Sequence, residues 1–183
     1  YGFVNLGWED TYFLDITGRN DWSSTLAPKN WSYFYPSVAF SMLLDQMFDF
    51  RSNLPAVNMA KLRLSWANVG NDTGPYGLDQ YYGSSSISGG FTTPSVIVDP
   101  MIKPENVESW EVGLDARLFK NRLGLDVALY TSATTDQIYP LEIDPIVGAS
   151  TMTINTGEIN NKGIEIALNG TPVKTNNFTW DLH

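Results

Sequence analysis

Apolar and polar residues alternate along most of this chain. From Leu123 to Ser132, the side chains of Leu123, Leu125, Val127, Leu129 and Thr131 fall on one face. Gly124, Asp126, Ala128, Tyr130 and Ser132 fall on the other, as they must where successive strand residues point to opposite sides. The preceding run repeats the pattern, with Trp110, Val112, Leu114, Ala116 and Leu118 against Glu111, Gly113, Asp115 and Arg117. Lys120-Asn121-Arg122 joins the two as a short polar turn, so the pair reads as a hairpin. The same period sets Tyr12, Leu14 and Ile16 against Asp15, Thr17 and Arg19; Leu62, Leu64 and Trp66 against Lys61, Arg63 and Ser65; and Ile164, Ile166 and Leu168 against Glu165, Ala167 and Asn169. Helical periodicity is almost absent.

The pattern predicts about eight strands, near residues 2–7, 11–20, 33–44, 60–70, 109–119, 123–134, 153–169 and 178–183. Most are close to the ten or so residues that a tilted strand needs to cross a bilayer. The third contains Pro36, which cannot donate to a ladder, so either a bulge sits there or the strand proper begins after it. Short turns are expected after Gly7, after Phe119 and from Thr171 to Asn177. Long connections run near residues 21–32, 71–107 and 135–152. The middle one holds the Gly- and Ser-rich run 83–90 with Pro94, Pro100 and Pro104, and reads as irregular. Tight turns at one end and long loops at the other are the asymmetry of transmembrane barrels. Residues 45–58 are the exception, a longer connection on the tight-turn side in which Leu44, Met47 and Phe48 suit one helical turn.

Composition narrows the function. Six Trp, nine Tyr and nine Phe make 13% of the 183 residues aromatic, and no Cys is present, which excludes disulfides and thiolate metal sites. A net charge of −9 argues against a nucleic-acid surface, which needs clustered Lys and Arg. No run is long and apolar enough for a membrane-spanning helix. The start, Tyr1-Gly2-Phe3-Val4, is strand-like and lacks Met, and Phe178 to His183 is strand-like too, so both ends read as interruptions of a longer barrel domain. Soluble β-sandwiches also alternate. The aromatic residues Trp8, Tyr12, Trp66, Trp110, Phe119, Phe178 and Trp180, near strand ends, favour the girdles of a membrane barrel. The fold class expected is all-β, an antiparallel transmembrane β-barrel segment of up-and-down strands that does not close by itself.

Several ordered blocks resemble the SusC/RagA family of TonB-dependent outer-membrane receptors. LDITGRNDWSS (14–24) is followed by YFYPSVAFS (33–41), then KLRLSWANVGND (61–72), then IKPENVESWEVGLDARLFKNRLGLDVALYTSATTDQI (102–138) and NTGEINNKGIEIALNGTPV (155–173). Pro104-Glu105-Asn106 and Met42 depart from the family's usual residues. The resemblance implies a large plugged barrel in the cell outer membrane that imports an oligomeric nutrient, glycan or peptide. It also implies a SusD-like surface lipoprotein and a TonB complex as partners, the latter reached through an N-terminal part that this sequence lacks together with the plug. Outer-membrane lipid would surround the wall. No cofactor, no metal and no enzymatic activity is expected. The rivals are a passive porin-like barrel and a secreted soluble carbohydrate-binding β-sandwich.

Two sets of residues are candidates for contact. The charges Asp15, Arg19, Lys61, Arg63, Glu111, Asp115, Arg117, Asp126 and Glu165, with Asp181, are expected to face the lumen, meeting plug or substrate or pairing across strands. The loop aromatics Trp22, Trp31, Tyr76, Tyr81, Tyr82, Phe91 and Tyr139 are expected to meet substrate or the lipoprotein, or to hold the loops together. Glu105, Glu108 and Glu111 suggest a glycosidase, but nothing in the sequence places a second carboxylate opposite. His183 is the only histidine, which removes a Ser-His-Asp set. Asn71-Asp72-Thr73-Gly74 reads as a turn and lacks the spaced acids of a calcium loop.

Overall fold

The alternation folds as strands. The computed structural model describes residues 1–48 and 54–182. In chain order the strands are β1 (Gly2–Trp8), β2 (Tyr12–Trp22), β3 (Ser32–Leu43), β4 (Val57–Asn71), β5 (Gly83–Ser84), β6 (Phe91–Thr92), β7 (Val96–Val98), β8 (Glu105–Leu118), β9 (Leu123–Thr135), β10 (Ile138–Glu142), β11 (Thr151–Asn155), β12 (Glu158–Lys174) and β13 (Thr179–Leu182). One helical turn, α1 (Leu44–Met47), follows β3. Eight strands make one sheet in the order β1-β2-β3-β4-β8-β9-β12-β13, with every pair antiparallel.

Register sorts the residues onto two faces. Tyr12, Met42, Leu62, Leu114, Val127 and Ile166 form one row across six strands, and Leu14, Phe40, Leu64, Val112, Leu129 and Ile164 form the next row on the same face. Asp15, Ala39, Ser65, Glu111, Tyr130 and Gly163 form a row on the opposite face. Nothing in the described chain covers the apolar face. Ile164, Ile166 and Leu168 are 60%, 66% and 59% exposed, far beyond what water tolerates over a contiguous sheet. A β-sandwich requires a second sheet against this face, and the two smaller sheets, of three strands and two strands, are built from loop residues instead. The sandwich reading is therefore wrong.

Three other expectations are corrected. Pro36 lies inside β3, paired with Gly18 in an unbroken β2–β3 register, with neither a bulge nor a late start. The ladder to β4 ends at Ser37–Ala67, so Ser32–Pro36 is a free edge on that side, where a residue without N–H is tolerated. The run 153–169 is two strands: β11 belongs to a loop sheet, and β12 begins only after Gly157, whose φ of 84° breaks the extended chain. At its other end β12 continues through a register irregularity between Gly170 and Val173, so the turn is confined to the residues between Lys174 and Thr179.

The tight-turn end carries its own devices. Phe119, Lys120 and Asn121 all have positive φ, at 54°, 58° and 61°. Asn58 Oδ1 accepts from the backbone N–H of Lys120 at 2.6 Å and of Asn121 at 3.3 Å, and Ala56 O accepts from Phe119 N–H at 2.7 Å, so the start of β4 holds the hairpin turn of β8 and β9 in place. In α1, the expected helical turn, Asp45 Oδ1 accepts from Ala60 N–H beside the irregularity at Val57/Met59, and Gln46 accepts from Thr11. The rest of that connection, 49–53, lies outside the described residues.

Candidate functional site

The long connections converge into one body at the opposite end of the sheet. The connection between β4 and β8, read as irregular, contains the β5–β6 hairpin and β7. β11 pairs with β10 antiparallel and with β7 in parallel, which ties the second long loop to the third. Beneath lies a small hydrophobic core, the one cluster of buried side chains among the described residues: Leu26, Val98 and Ile102, one from the first loop and two from the second, packed by Tyr33, Leu78 and Ile138.

Polar side chains lock this body to the strand ends. Asn30 Nδ2 donates to Met101 O and Ile102 O at 3.1 and 2.8 Å. Asn155 accepts from Lys103 N–H at 2.8 Å and donates to Lys103 O and Asp136 O at 2.9 and 2.7 Å, serving as a backbone mimic between two loops. Glu105 accepts from Ile138 N–H at 3.0 Å and from Asn71 Nδ2 at 3.2 Å. Asp72 accepts from Thr25 Oγ1 at 2.9 Å and from Tyr33 OH at 3.1 Å. Donors from Ser23, then Thr25 and Tyr33, hold the Asp72 carboxyl below the usual carboxylate range, against partial desolvation that acts the other way.

Above Ser37–Ala67, where β3 and β4 are no longer paired, Tyr33 and Tyr35 pack at 5.1 Å between ring centres, and the Arg19 guanidinium lies 5.5 Å from the Tyr35 ring centre. Arg19, Asp21, Trp22, Tyr33, Tyr35 and Asp72 line an open polar pocket of about 460 Å³ there. From sequence, Asp72 reads only as part of a turn, and Tyr33 and Tyr35 carry no functional expectation; the run YFY is visible, but its packing depends on the gap between strands.

The loop aromatics are spread through this body and do not share one point. Trp22, Tyr76, Tyr81, Tyr82 and Phe91 are each at least 70% exposed. Tyr81 and Tyr82 precede the β5–β6 hairpin and Phe91 lies within it, Tyr139 is exposed on β10, and Tyr76 borders a second pocket with Pro28, Leu78 and Asp79. Trp31 donates its indole N–H to Leu26 O, which holds the first loop together.

The predicted charges share the polar face. Arg63 donates two hydrogen bonds to Asp126, at 2.8 and 3.1 Å. Asp15 accepts from Asn5, Arg19 pairs with Asp21, Arg117 lies 3.6 Å from Asp115, and Lys61 stands opposite Asp115 in register. Asp181 accepts from Thr171 at 2.6 Å. Glu111 and Glu165 face the same side as Arg63 without a hydrogen bond or ion pair of their own among the described residues. The glutamate trio separates: Glu105 and Glu111 lie on the polar face and Glu108 on the apolar one, so it supplies no pair flanking a bond.

The apolar face has a defined upper limit. Trp66 and Trp110 stand opposite each other with ring centres 6.1 Å apart, and both indole N–H groups donate to Glu108 Oε1, at 2.9 and 3.2 Å. These tryptophans are expected at or near strand ends; β4 continues to Asn71 and β8 starts at Glu105, so they mark a level a few residues inside those ends. From Trp110 down to Leu118 is roughly 27 Å of strand, about 20 Å of depth at a usual tilt, close to the apolar band of an outer-membrane barrel.

An open antiparallel sheet, apolar on one side and charged on the other, with an aromatic row and a folded loop body at one end, is the wall of a transmembrane β-barrel. The chain belongs to the TonB dependent receptor-like β-barrel family, whose model matches residues 1–183, and that membership places it in the cell outer membrane. It is 29% identical to TonB-dependent receptor P26 of Formosa agariphila over 98% of this chain and 19% of that protein. It is 28% identical to TonB-dependent receptor SusC of Bacteroides thetaiotaomicron over 100% of this chain and 19% of that protein. The structure superposes on a chain of the RagAB peptide importer in its closed-closed state with a TM-score of 0.84 and 25% identity, over 95% of this chain and 19% of that one. The chain thus spans about a fifth of the length of these relatives.

Proposed function

We propose that this chain forms part of the wall and outer mouth of a TonB-dependent importer that brings an oligomeric nutrient, glycan or peptide, across the outer membrane with a SusD-like surface lipoprotein. The observation that carries this reading is the joining of the three long loops into a single body with exposed aromatic residues above a barrel wall. The named relatives include a SusC receptor and a peptide importer, which supports an oligomeric substrate. The polar face lines the lumen, where Arg63, Asp126, Glu111 and Glu165 meet the plug or the passing substrate. Trp22, Tyr76, Tyr81, Tyr82, Phe91 and Tyr139 stack on substrate or on the lipoprotein. Movement of substrate requires no bond to be made or broken in it, only gating driven through TonB.

Uptake by cells carrying the full-length receptor tests this reading. Deleting the receptor is expected to stop growth on one class of oligosaccharide or peptide, and collapsing the proton-motive force to stop uptake at once. Uptake that survives the collapse identifies a passive pore and overturns the proposal.

A further inference from the structure

Many side chains of the polar face are engaged with one another: Asn5 with Asp15, Thr17 with Ser37, Arg63 with Asp126. One stretch, level with the tryptophan row, is different. Ser65, Glu111 and Tyr130 stand in one row across β4, β8 and β9; Ser109 and Ser132 stand one row nearer the loops, and Glu165 one row nearer the tight turns. Together they line an open pocket of about 300 Å³. None of the six has a side-chain hydrogen bond or ion pair among the described residues. Tyr130 gives the pocket a flat surface. A Cβ on Gly163, its paired neighbour, would lie 2.5 Å from Cζ, 2.5 Å from Oη and 2.7 Å from Cε1 of the phenol. An approach in the plane of the ring would meet Oη or Cε1 well before Cζ, so near-equal distances to all three put the bare Cα beneath the ring face. The phenol therefore lies along the sheet with its other face toward the lumen, and Tyr130 is 38% exposed.

We propose that this stretch of wall is a sugar subsite: one neutral pyranose unit of a passing oligosaccharide lays its C–H face on Tyr130, while its hydroxyls donate to Glu111 and Glu165 and exchange hydrogen bonds with Ser109 and Ser132. The inference deepens the importer reading and rests on it for the polar face being the lumen. The unengaged groups select a polyol. A pyranose is flat and apolar on its C–H face and carries hydroxyls around its edge, which matches a flat ring bordered by free oxygens. Carboxylates accept from neutral hydroxyls in charge-assisted hydrogen bonds, and serine hydroxyls both donate and accept. An acidic sugar would meet Glu111 and Glu165 with like charge, and the Arg63 guanidinium, in the row of Glu165, is already held by Asp126. A lysine side chain would use the carboxylates and leave the serine hydroxyls idle. Because Gly163 supports the ring from below, little ordering of Tyr130 is left for binding to supply.

The test is calorimetric titration of the full-length receptor in mild detergent with neutral gluco-, galacto-, manno- and xylo-oligosaccharides, and with a lysine-containing peptide of similar length. The receptor is expected to bind at least one of the oligosaccharides. Tyr130→Phe is expected to keep that affinity within about twofold, whereas Tyr130→Leu, which still covers Gly163 but has no flat face, weakens it about tenfold. Glu165→Gln is expected to weaken it only about threefold, because the amide oxygen still accepts from a hydroxyl. Heat-modified mobility on gels checks that each variant is a folded barrel. Failure of every neutral oligosaccharide to bind overturns the proposal. An affinity that Tyr130→Leu leaves unchanged also overturns it, since the ring then serves the plug or Gly163 alone, and so does binding of the lysine peptide that Glu165→Gln abolishes, which makes the place a cation site. Binding is read without transport. A receptor that imports under proton-motive force yet binds no sugar at Tyr130 loses the subsite and keeps the importer reading; one that binds sugar there while uptake survives collapse of that force keeps the subsite and loses the importer.

Discussion

Arg63 reaches Asp126 across an entire strand, its guanidinium lying over the bare Cα of Gly113. Arg63 is on β4 and Asp126 on β9, and Gly113 of β8, opposite Arg63, separates them. A Cβ on Gly113 would sit 2.8 Å from Arg63 Nη2 and 2.9 Å from its Nε, so any larger residue there displaces the guanidinium. The pair is about a third exposed on each side, so solvent weakens it, although its two-pronged geometry is the favourable one. Arg63→Ala and Asp126→Asn are each expected to cost about 0.5 to 1 kcal/mol, and Gly113→Val a similar amount through the same contact. A double-mutant cycle on the refolded full-length barrel checks this: Gly113→Val with Arg63→Ala should cost less than the two changes summed. Strict additivity would mean that the glycine serves some other purpose.

A second close approach lies on the same face. Tyr130 covers Gly163, its directly paired neighbour, so closely that a Cβ there would lie 2.5 Å from the phenol ring and oxygen. The ring replaces the side chain that the glycine lacks and keeps β9 and β12 in register. Gly163→Ala is expected to push the ring away and destabilise the strand pair by about 1 kcal/mol, as is Tyr130→Ala, from the loss of cross-strand contact. Urea midpoints of the barrel in detergent measure both.

Much of the wall was legible because the information is local. Lipid on one side and water on the other force a two-residue period, and Leu123 to Ser132 reveals it without reference to any other strand. The reading failed where alternation continued across a break: Thr151–Asn155 has the same texture as β12, and only the backbone at Gly157 separates them. The loop body was illegible for a different reason. Its contacts join residues far apart in the chain, Leu26 to Ile102 and Asn30 to Ile102, and no local pattern announces such pairs. Glu108 was misgrouped with Glu105 and Glu111 by their spacing of three; counting in twos along β8 puts it with Trp110, on the apolar side.

Asp72 makes the attachment of the loop body dependent on pH. Its carboxyl titrates below the 3.8 of an unconstrained group because Ser23, Thr25 and Tyr33 donate to the charged form. A depressed native value means that the contribution is fully present above about 3.8 and is lost as pH falls from there through the lower, folded value. Hydrogen exchange at residues 23–33 should therefore be unchanged between pH 7 and 5 after correction for intrinsic rates, and rise below 3.8. Asp72→Asn should show the faster exchange at every pH. A pH dependence that persists in the variant would assign the effect to another group.

The turn between β8 and β9 is held against its own backbone preference. Three consecutive residues with side chains, Phe119, Lys120 and Asn121, occupy the left-handed region, which disfavours Cβ atoms by about 1 kcal/mol each outside glycine and asparagine. Asn58 offsets this by accepting two of their backbone N–H groups from the neighbouring strand. Removing that acceptor in Asn58→Ala leaves both donors to water and is expected to cost about 1 to 2 kcal/mol. Lys120→Gly, which relieves the strain at φ 58°, is expected to gain about 0.5 to 1 kcal/mol, since the position already has the conformation glycine adopts freely. The informative measurement is the pair together. If the turn conformation depends on Asn58, Lys120→Gly should gain less in the Asn58→Ala background than in the unaltered barrel, because the strained turn has already relaxed. If the two changes simply add, the turn keeps its shape without the asparagine and the β4 contact is incidental.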